Sequence, residues 1–351
     1  MRQAILLGNP ESKRSIYLKK AMEEAGLSLL VLDVQKIEEK LLAEFLAKEI
    51  FLKIDPPVWK SSSILELPEL MEGYKGELMA LAALDGKNPI TFFNHPSAIT
   101  ALLDKRSCKE VLVREGISVT ESLGGDNKES HICNLEMLLE QMRQEKLCQI
   151  FIKPVNGSGA LGVSAFRMQK RTGKMQLYTC AALTESKTLV NTKRLMCLSD
   201  RAQIENVLDI LLKMDTLIER WHPKPIYQGY SYDLRAVVQD GRIDMLLARL
   251  SKGPITNLQL NNRPLAIEEL GLPKRVLEEI SYLCQRAMGC FSGLRSAGID
   301  LLLDRGSLTP RVIEMNAQGD LIYQDIYQEN KIYRHQAEII KGWLYNRRED
   351  R

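Results

Sequence analysis

The sequence predicts a mixed α/β (α+β) protein built from more than one packed unit. Three observations carry this: an opening strand–helix–strand pattern, a succession of hairpin signals further on, and a length of 351 residues, more than one compact core usually needs. With 45% hydrophobic and 26% charged residues, the composition is globular and a sizeable core is affordable. The net charge of +3 comes from 48 basic and 45 acidic residues scattered along the chain. That spread supplies no concentrated field for nucleic acid or an anionic membrane, and leaves a small anionic ligand as the charged partner.

The opening apolar run Ala4-Ile5-Leu6-Leu7 follows Arg2, but Gly8-Asn9-Pro10 interrupts it before a signal-peptide core forms. No apolar run approaches a membrane span. Cysteines 108, 133, 148, 180, 197, 284 and 290 form no CxxC pair and have no histidines at ligand spacing, which reads as reduced thiols in a cytoplasm.

Residues 1–93 read as a small βαβ-type domain. A strand over Ala4–Leu7 precedes a helix over Ser15–Ala25 and a strand over Leu29–Leu32. The segment Asp55-Pro56-Pro57 through Ser61-Ser62-Ser63 is loop, helical pattern resumes from Pro68 to Leu84, and Asn94-His95-Pro96 marks a boundary. From Ala98 to Arg114 one helix is expected, ended by Gly116. A helix over Leu135–Glu145 then leads to a strand over Gln149–Val155, a glycine loop and a strand over Val163–Met168. The turn Arg171-Thr172-Gly173-Lys174 folds the chain back into Met175–Ala181. A helix over Asp200–Lys213 precedes a strand over Thr216–Arg220, two strands flank Asp240-Gly241, a strand pair spans Ile299 to Asn316, and a helix closes the chain.

Gly157-Ser158-Gly159-Ala160-Leu161-Gly162 satisfies GxGxxG, which alone is a weak dinucleotide signal. A Rossmann loop must open into a helix, whereas Val163-Ser164-Ala165-Phe166-Arg167-Met168 alternates like a strand. A glycine turn between antiparallel strands lies instead over a triphosphate, because missing side chains let backbone N–H groups approach the oxygens. Protein kinases do this too, but no HRD or DFG segment completes their set. Lys153, in the strand before the loop, would carry its ammonium toward the same phosphates; the bland alternative is a solvated lysine at a strand end.

In the last strand pair, a hairpin symmetric about Ser307 places Asp300 opposite Glu314, with Asn316 on the same face. Two facing carboxylates repel unless a cation sits between them, and the all-oxygen set Asp300, Glu314, Asn316 suits Mg2+. A register slip of one residue would turn these acids to solvent.

With these residues in hand, the sequence from about Asn94 onward resembles the ATP-grasp superfamily, which includes glutathione synthetase, D-alanine:D-alanine ligase and the ribosomal-protein glutamate ligases. The resemblance implies two subdomains clasping ATP, residues 94–218 carrying the lysines and phosphate loop and residues 219–351 the metal and catalytic groups, behind a pre-ATP-grasp domain at 1–93. Asp104-Lys105 ahead of Gly116-Ile117 resembles the segment with the first ATP lysine, Lys153 the second lysine, and 156–162 the phosphate loop. Glu219-Arg220-Trp221 resembles the segment that holds adenine, with Glu219 near its amino group or the ribose; Trp221 reads equally as a packing residue. Asp300, Glu314 and Asn316 fall on the family's magnesium positions, with Mn2+ as the alternative ion. Arg235, in Asp233-Leu234-Arg235, and Arg249 with Asn257 resemble the groups near the transferred phosphate. Arginine suits that task through its permanent charge and forked donors. His95 and His222, each beside a proline, read as turn-stabilising.

More narrowly, Gly8-Asn9-Pro10, Glu219-Arg220-Trp221-His222-Pro223-Lys224, Thr256-Asn257-Leu258 and Asn316-Ala317-Gln318-Gly319-Asp320-Leu321 resemble a bacterial ATP-grasp family that brings no substrate with it. Ala160 departs from the second glycine many relatives carry in the loop. The implied activity is ligation: a small-molecule carboxylate is phosphorylated to an acyl phosphate, which an amine or thiol attacks, in a cytoplasmic enzyme that can form a homo-oligomer. A small-molecule kinase and a non-turnover ATP-binding module in a larger assembly are the rival readings. The N-terminal domain is expected to cover one side of the cleft and contribute substrate contacts; Ser12-Lys13-Arg14, just before a helix, reads first as a solvated first turn, with receipt of a carboxylate or phosphate as the alternative.

Overall fold

A computed structural model describes residues 2–33, 49–58, 63–86, 89–123, 132–157, 160–186, 188–319 and 329–345. The chain opens on β1 (Gln3–Leu7), α1 (Lys13–Glu24) and β2 (Leu30–Leu32), the expected βαβ start, in which Ser12 caps α1 through the amide of Ser15. Two further strands, β3 (Ile50–Ile54) and β4 (Ile90–Phe92), bracket α2 (Leu67–Ala82). All four strands are parallel, in the order β2-β1-β3-β4. The sequence reading missed β3 and β4 because parallel strands buried on both faces lose the alternation that marks a half-buried strand. Every residue of β3 is buried, including Lys53.

The single helix expected over 98–114 is two: α3 (Pro96–Leu103) and α4 (Lys105–Arg114). Asp104 between them is extended, at φ −101° and ψ 106°, and its carboxylate caps the amide of Ser107 at 2.8 Å. An aspartate that satisfies its own helix start lets the chain restart without losing apolar periodicity, so the pattern conceals the break. His95 takes the corresponding position at α3, accepting from the amide of Ser97, the turn-stabilising role expected of it.

The next unit contains α5 (Leu135–Gln144), β5 (Gln149–Pro154), β6 (Ser164–Met168), β7 (Met175–Leu183), β8 (Leu189–Leu198), α6 (Arg201–Leu211) and β9 (Thr216–Arg220). Its antiparallel sheet, ordered β8-β7-β6-β5-β9, carries α5 and α6 on one face, where Leu135, Leu138, Ile150, Phe166, Leu177, Ile204 and Leu208 form a core. A strand does follow the glycine loop. The edge strand β8 was missed because its polar composition, Asn191-Thr192-Lys193-Arg194, resembles a loop.

The third sheet is built from β10 (Ile226–Tyr227), β11 (Tyr230–Gln239), β12 (Arg242–Ser251), β13 (Arg263–Ala266), β14 (Ser296–Leu303) and β15 (Pro310–Asn316), ordered β13-β12-β11-β14-β15, with β10 on β11. Asp240 and Gly241, at φ 43° and 75°, turn β11 into β12. That is the two-residue hairpin the Asp-Gly pair predicts. A helix not anticipated, α7 (Lys274–Gly289), buries Val276, Ile280, Cys284 and Ala287 against the face of this sheet carrying Leu234, Ala236, Ala248, Ile299 and Leu301. Leu102, Cys108 and Leu112 of α3 and α4 join that same core. The closing helix α8 (Lys331–Tyr345) packs with α1 and with Ala4, Leu6 and Phe51, and also reaches Val237, Met245 and Leu247 on the third sheet's other face. All seven cysteines are free, and no helix among the described residues is long and apolar enough to cross a membrane.

Candidate active site

Strand register lines up the charges. Arg249 of β12 pairs with Asp233 of β11; Arg235, two residues on and therefore on the same face, pairs with Asp300 of β14; Asp300 pairs with Glu314 of β15. The expected opposition of Asp300 and Glu314 is present, and a bulge follows immediately, so that Leu301 faces Val312. The bulge confines the symmetric register to the end of the hairpin that carries the acids.

Hydrogen bonds weld this row together. Arg249 Nε donates to Asp233 Oδ1 at 2.8 Å and its Nη1 to Asp300 Oδ2 at 3.0 Å, while Arg235 Nη1 donates to Asp300 Oδ1 at 2.6 Å. Lys224 Nζ reaches Asp233 Oδ2 at 3.1 Å and Thr256 Oγ1 at 2.7 Å. Burial works to raise the Asp233 carboxyl, but Arg249 and Lys224 outweigh it and hold it at about 2. Asp300 is likewise held low: burial opposes, and Arg249 and Arg235 prevail. Arg249, though buried, is pushed up by Asp233 and Asp300. Arg235 Nε is buried with no partner among the described residues.

Asp233, Arg249, Asp300 and Glu314 of this row form one wall of an open cleft, and Arg235 lies outside its lining. The opposite wall is Phe151, Lys153, Ala160 and Val163 of the glycine-loop unit, and Arg220, His222 and Asn257 complete the lining. Ala160 has no positive φ, so the alanine fits the loop's backbone as it stands, whereas Gly157 and Gly162 sit at φ 123° and 65° and suit glycine. Ser158 and Gly159, expected in the phosphate loop, lie outside the described residues.

Beneath the cleft lies a lysine pair bridged by one carboxylate. Glu219 contacts Lys109 and Lys153, the latter at 2.5 Å, and accepts from Thr120 Oγ1 at 2.8 Å. Two ammoniums share a single buried anion, so burial, reinforced by Lys153, pushes Lys109 down to about 6, and burial pushes Lys153 down to about 8. Lys105, first residue of α4, donates to the carbonyl of Gly157 at the loop's root and does not line the cleft.

Several expectations change here. Glu219, expected near adenine's amino group or the ribose, lines the cleft while contacting both lysines, and is 2% exposed. Trp221 packs on Phe151, with ring centroids 5.3 Å apart, and on Tyr178, outside the cleft lining, which is its packing role. Asn257 lines the cleft and caps a short 3-10 turn through the amide of Gln259. Asp300, expected to share a cation with Glu314, also accepts from two guanidiniums within the chain, those of Arg235 and Arg249. Lys109 and Lys224 were missed. Lys109 stands one helical turn after Lys105, and Lys224 lies within the Glu219–Lys224 motif, so spacing alone could have flagged both.

The donors fit a hard divalent cation. Among the described residues no group of three or more His, Cys, Asp or Glu is placed to hold a metal. Asp300 and Glu314 line the cleft, whereas Asn316 lies outside its lining, and two carboxylates leave positions for phosphate oxygens and water. Each Asp300 oxygen accepts one guanidinium bond and keeps a second lone pair, and Glu314 has no hydrogen-bond partner among the described residues. Asn316 Oδ1 accepts from the amide of Gln318 at 3.0 Å.

No family model and no curated protein matches the sequence. Solved structures match it over nearly its whole length. The ATP-grasp ligase PsnB, complexed with minimal precursor, Mg and ADP, superposes with a TM-score of 0.58 at 15% identity, over 98% of this chain and 98% of that one. The macrocyclase MdnC of Microcystis aeruginosa MRC, bound with precursor peptide MdnA, gives 0.59 at 15% identity over 97% and 100%. A RiPP-associated ATP-grasp ligase of Chryseobacterium gregarium, in complex with ADP and a leader and core peptide, gives 0.59 at 13% over 100% and 99%. The chain thus has the ATP-grasp fold.

Proposed function

We propose that the protein is an ATP- and Mg2+-dependent ligase that activates a carboxylate as an acyl phosphate for attack by an amine or thiol. The observation that carries the reading is the charged row of Asp233, Arg249, Asp300 and Glu314, which shares one cleft with Lys153 and Ala160 of the glycine-loop unit. PsnB, of the same fold, is captured with Mg and ADP, which supports both ligands here.

In this reading Lys153, Gly157, Ser158, Gly159 and Gly162 hold the phosphates, with Lys105 fastening the loop at the Gly157 carbonyl, and Arg220, Asn257 and Glu219 hold the nucleoside, with Trp221 packed on Phe151 beside them. Asp300, Glu314 and Asn316 hold Mg2+, which when bound neutralises phosphate charge. Residues 1–93, 94–218 and 219–351 are the working units. A carboxylate oxygen attacks the γ-phosphorus, the bond to ADP breaks, and the amine or thiol then displaces phosphate. Arg235 and Arg249 are the catalytic groups: held by Asp300 and Asp233, they meet negative charge without reorganising. No side-chain nucleophile is required.

A metabolite-pool screen for ADP release, followed by hydroxylamine trapping on the active substrate, tests the proposal. A hydroxamate is expected; ADP release with a stable phosphorylated product and no hydroxamate would show a kinase instead. Glu314→Gln is expected to abolish turnover.

A further inference from the structure

A loop with glycines at 157, 159 and 162 has little conformational preference of its own, so its position is set by what holds its ends. At the first end Lys105 donates to the carbonyl of Gly157. Leu67, the first residue of α2 and 4% exposed, lies against the same glycine: a Cβ built on Gly157 would stand 2.7 Å from Leu67 Cδ2. At the second end the amide of Gly162 donates to Asn191 Oδ1 of β8 at 3.4 Å.

Both fastenings lead back to residues 63–67, which along the chain belong to the N-terminal domain. β8 is an edge strand of the glycine-loop sheet, and an edge offers backbone groups to whatever lies beside it. Ser63 forms an antiparallel bridge with Val190, and the amide of Ile64 donates to the carbonyl of Leu189 at 3.0 Å. The Ile64 side chain is fully buried, and it belongs to the cluster of Leu135, Leu177 and Leu189 in the glycine-loop unit rather than to the N-terminal core. The rest of α2 stays with the N-terminal sheet, where Tyr74 and Leu78 bury with Ile5, Leu52 and Phe92. Tyr74, two turns or about 10 Å along the helix from Leu67, accepts from Gln318 Nε2 at 2.8 Å, and the Gln318 amide donates to Asn316 Oδ1 at 3.0 Å. One helix therefore touches the root of the glycine loop at its start and the end of the β14–β15 hairpin two turns later.

We infer that residues 63–67 position the glycine loop over the nucleotide's phosphates: Ile64 pegs the glycine-loop unit to the N-terminal domain, and Leu67 sets Gly157 at a fixed distance from the hairpin. The assignment rests on the nucleotide reading of that loop. Neither Ile64 nor Leu67 lines the nucleotide cleft, so both are positioning residues that act through Gly157 and β8. A glycine-rich segment loses more backbone freedom than any other when it closes on a ligand, and fixing its ends removes part of that loss before the ligand arrives. The N-terminal domain thereby contributes to phosphate binding without touching the phosphates.

The experiment is calorimetry of the full chain with ATP and Mg2+, ligand-observed NMR with adenosine, and ADP release on the metabolite pool. Leu67→Ala is expected to weaken ATP at least fivefold while adenosine stays within twofold, because only the phosphates meet the loop. Leu67→Val drops the Cδ atoms that meet Gly157 but keeps most of the buried volume; it is the second variant, should the alanine not fold, and is expected to weaken ATP at least threefold. Leu67→Met, which conserves volume and reach, is expected to hold ATP within twofold of wild type. ATP affinity within twofold of wild type in Leu67→Val, equal weakening of adenosine and ATP, or a Leu67→Met variant as weak as the valine overturns the inference. A wild type that binds no ATP refutes the nucleotide reading and the inference with it. ATP binding that responds to Leu67 as expected, with no ADP released from any substrate, refutes the ligase reading and leaves the inference standing.

Discussion

Glu219→Gln is the substitution whose cost follows most directly from the structure. The carboxylate is 2% exposed and contacts two ammoniums, on Lys109 and Lys153. Glutamine keeps the volume and can still accept from Thr120, but it removes the charge. Taking one partner from a buried ion pair costs about 3–5 kcal/mol. The cost also depends on pH, because Lys109 lies at about 6 and Lys153 at about 8, both below the ordinary 10.5. The unfolded chain therefore holds more protons than the folded one, between about pH 6 and 10.5 for Lys109 and between about 8 and 10.5 for Lys153. Stability of the native protein rises with pH across those windows, by about 1.4 kcal/mol per unit for each lysine fully inside its own. In the variant both lysines fall further, so the loss relative to wild type is largest at pH 6 and shrinks toward pH 9. Urea unfolding followed by tryptophan fluorescence at the two pH values measures it, since Trp221 packs on Phe151 of the same sheet. A loss below about 1 kcal/mol at pH 6, or an equal loss at both pH values, refutes the shared-anion account.

Other consequences follow from the charged row. Arg249→Lys cannot span Asp233 and Asp300 at once, so ADP release should fall about 100-fold or more and the thermal midpoint should drop as well, because one buried carboxylate loses its partner; a loss of ADP release under tenfold counts against a catalytic Arg249. Gly298→Ala brings a Cβ that would overlap the Arg235 guanidinium; it forces Arg235 off Asp300 or shifts β14, costing about 1–3 kcal/mol on urea unfolding and most of the turnover, and a fully active, equally stable variant would show that the guanidinium does not need the glycine. Asn94→Ala, which strips the bonds holding residues 295, 296 and 317 together, should destabilise by about 2–4 kcal/mol through several orphaned backbone groups. Chelation by EDTA should stop ATP turnover and added Mg2+ restore it; turnover unaffected by chelation would remove the metal role of Glu314.

Much of the glycine-loop unit's architecture was legible beforehand because it is local. The glycine loop, the strand after it and the lysine before it fall within about twenty residues, and alternation is enough to reject a Rossmann helix. The Asp300–Glu314 pairing was legible for the same reason: a hairpin's register is set by its own turn. The two-helix break at Asp104 was not, since a capping aspartate interrupts a helix without interrupting its apolar period. Nor was the pairing of Glu219 with Lys109, which lies on a helix far earlier in the chain.

The sequence by itself determined the element types, the ordered motifs and the one short-range carboxylate pair, because each depends on residues that are neighbours along the chain. Only the tertiary structure decided that Arg235 and Arg249 converge on Asp300 and that Lys109 and Lys153 share Glu219. Those facts depend on which strands lie side by side, and strand order across three sheets is set by how the faces bury one another, information that no local period carries.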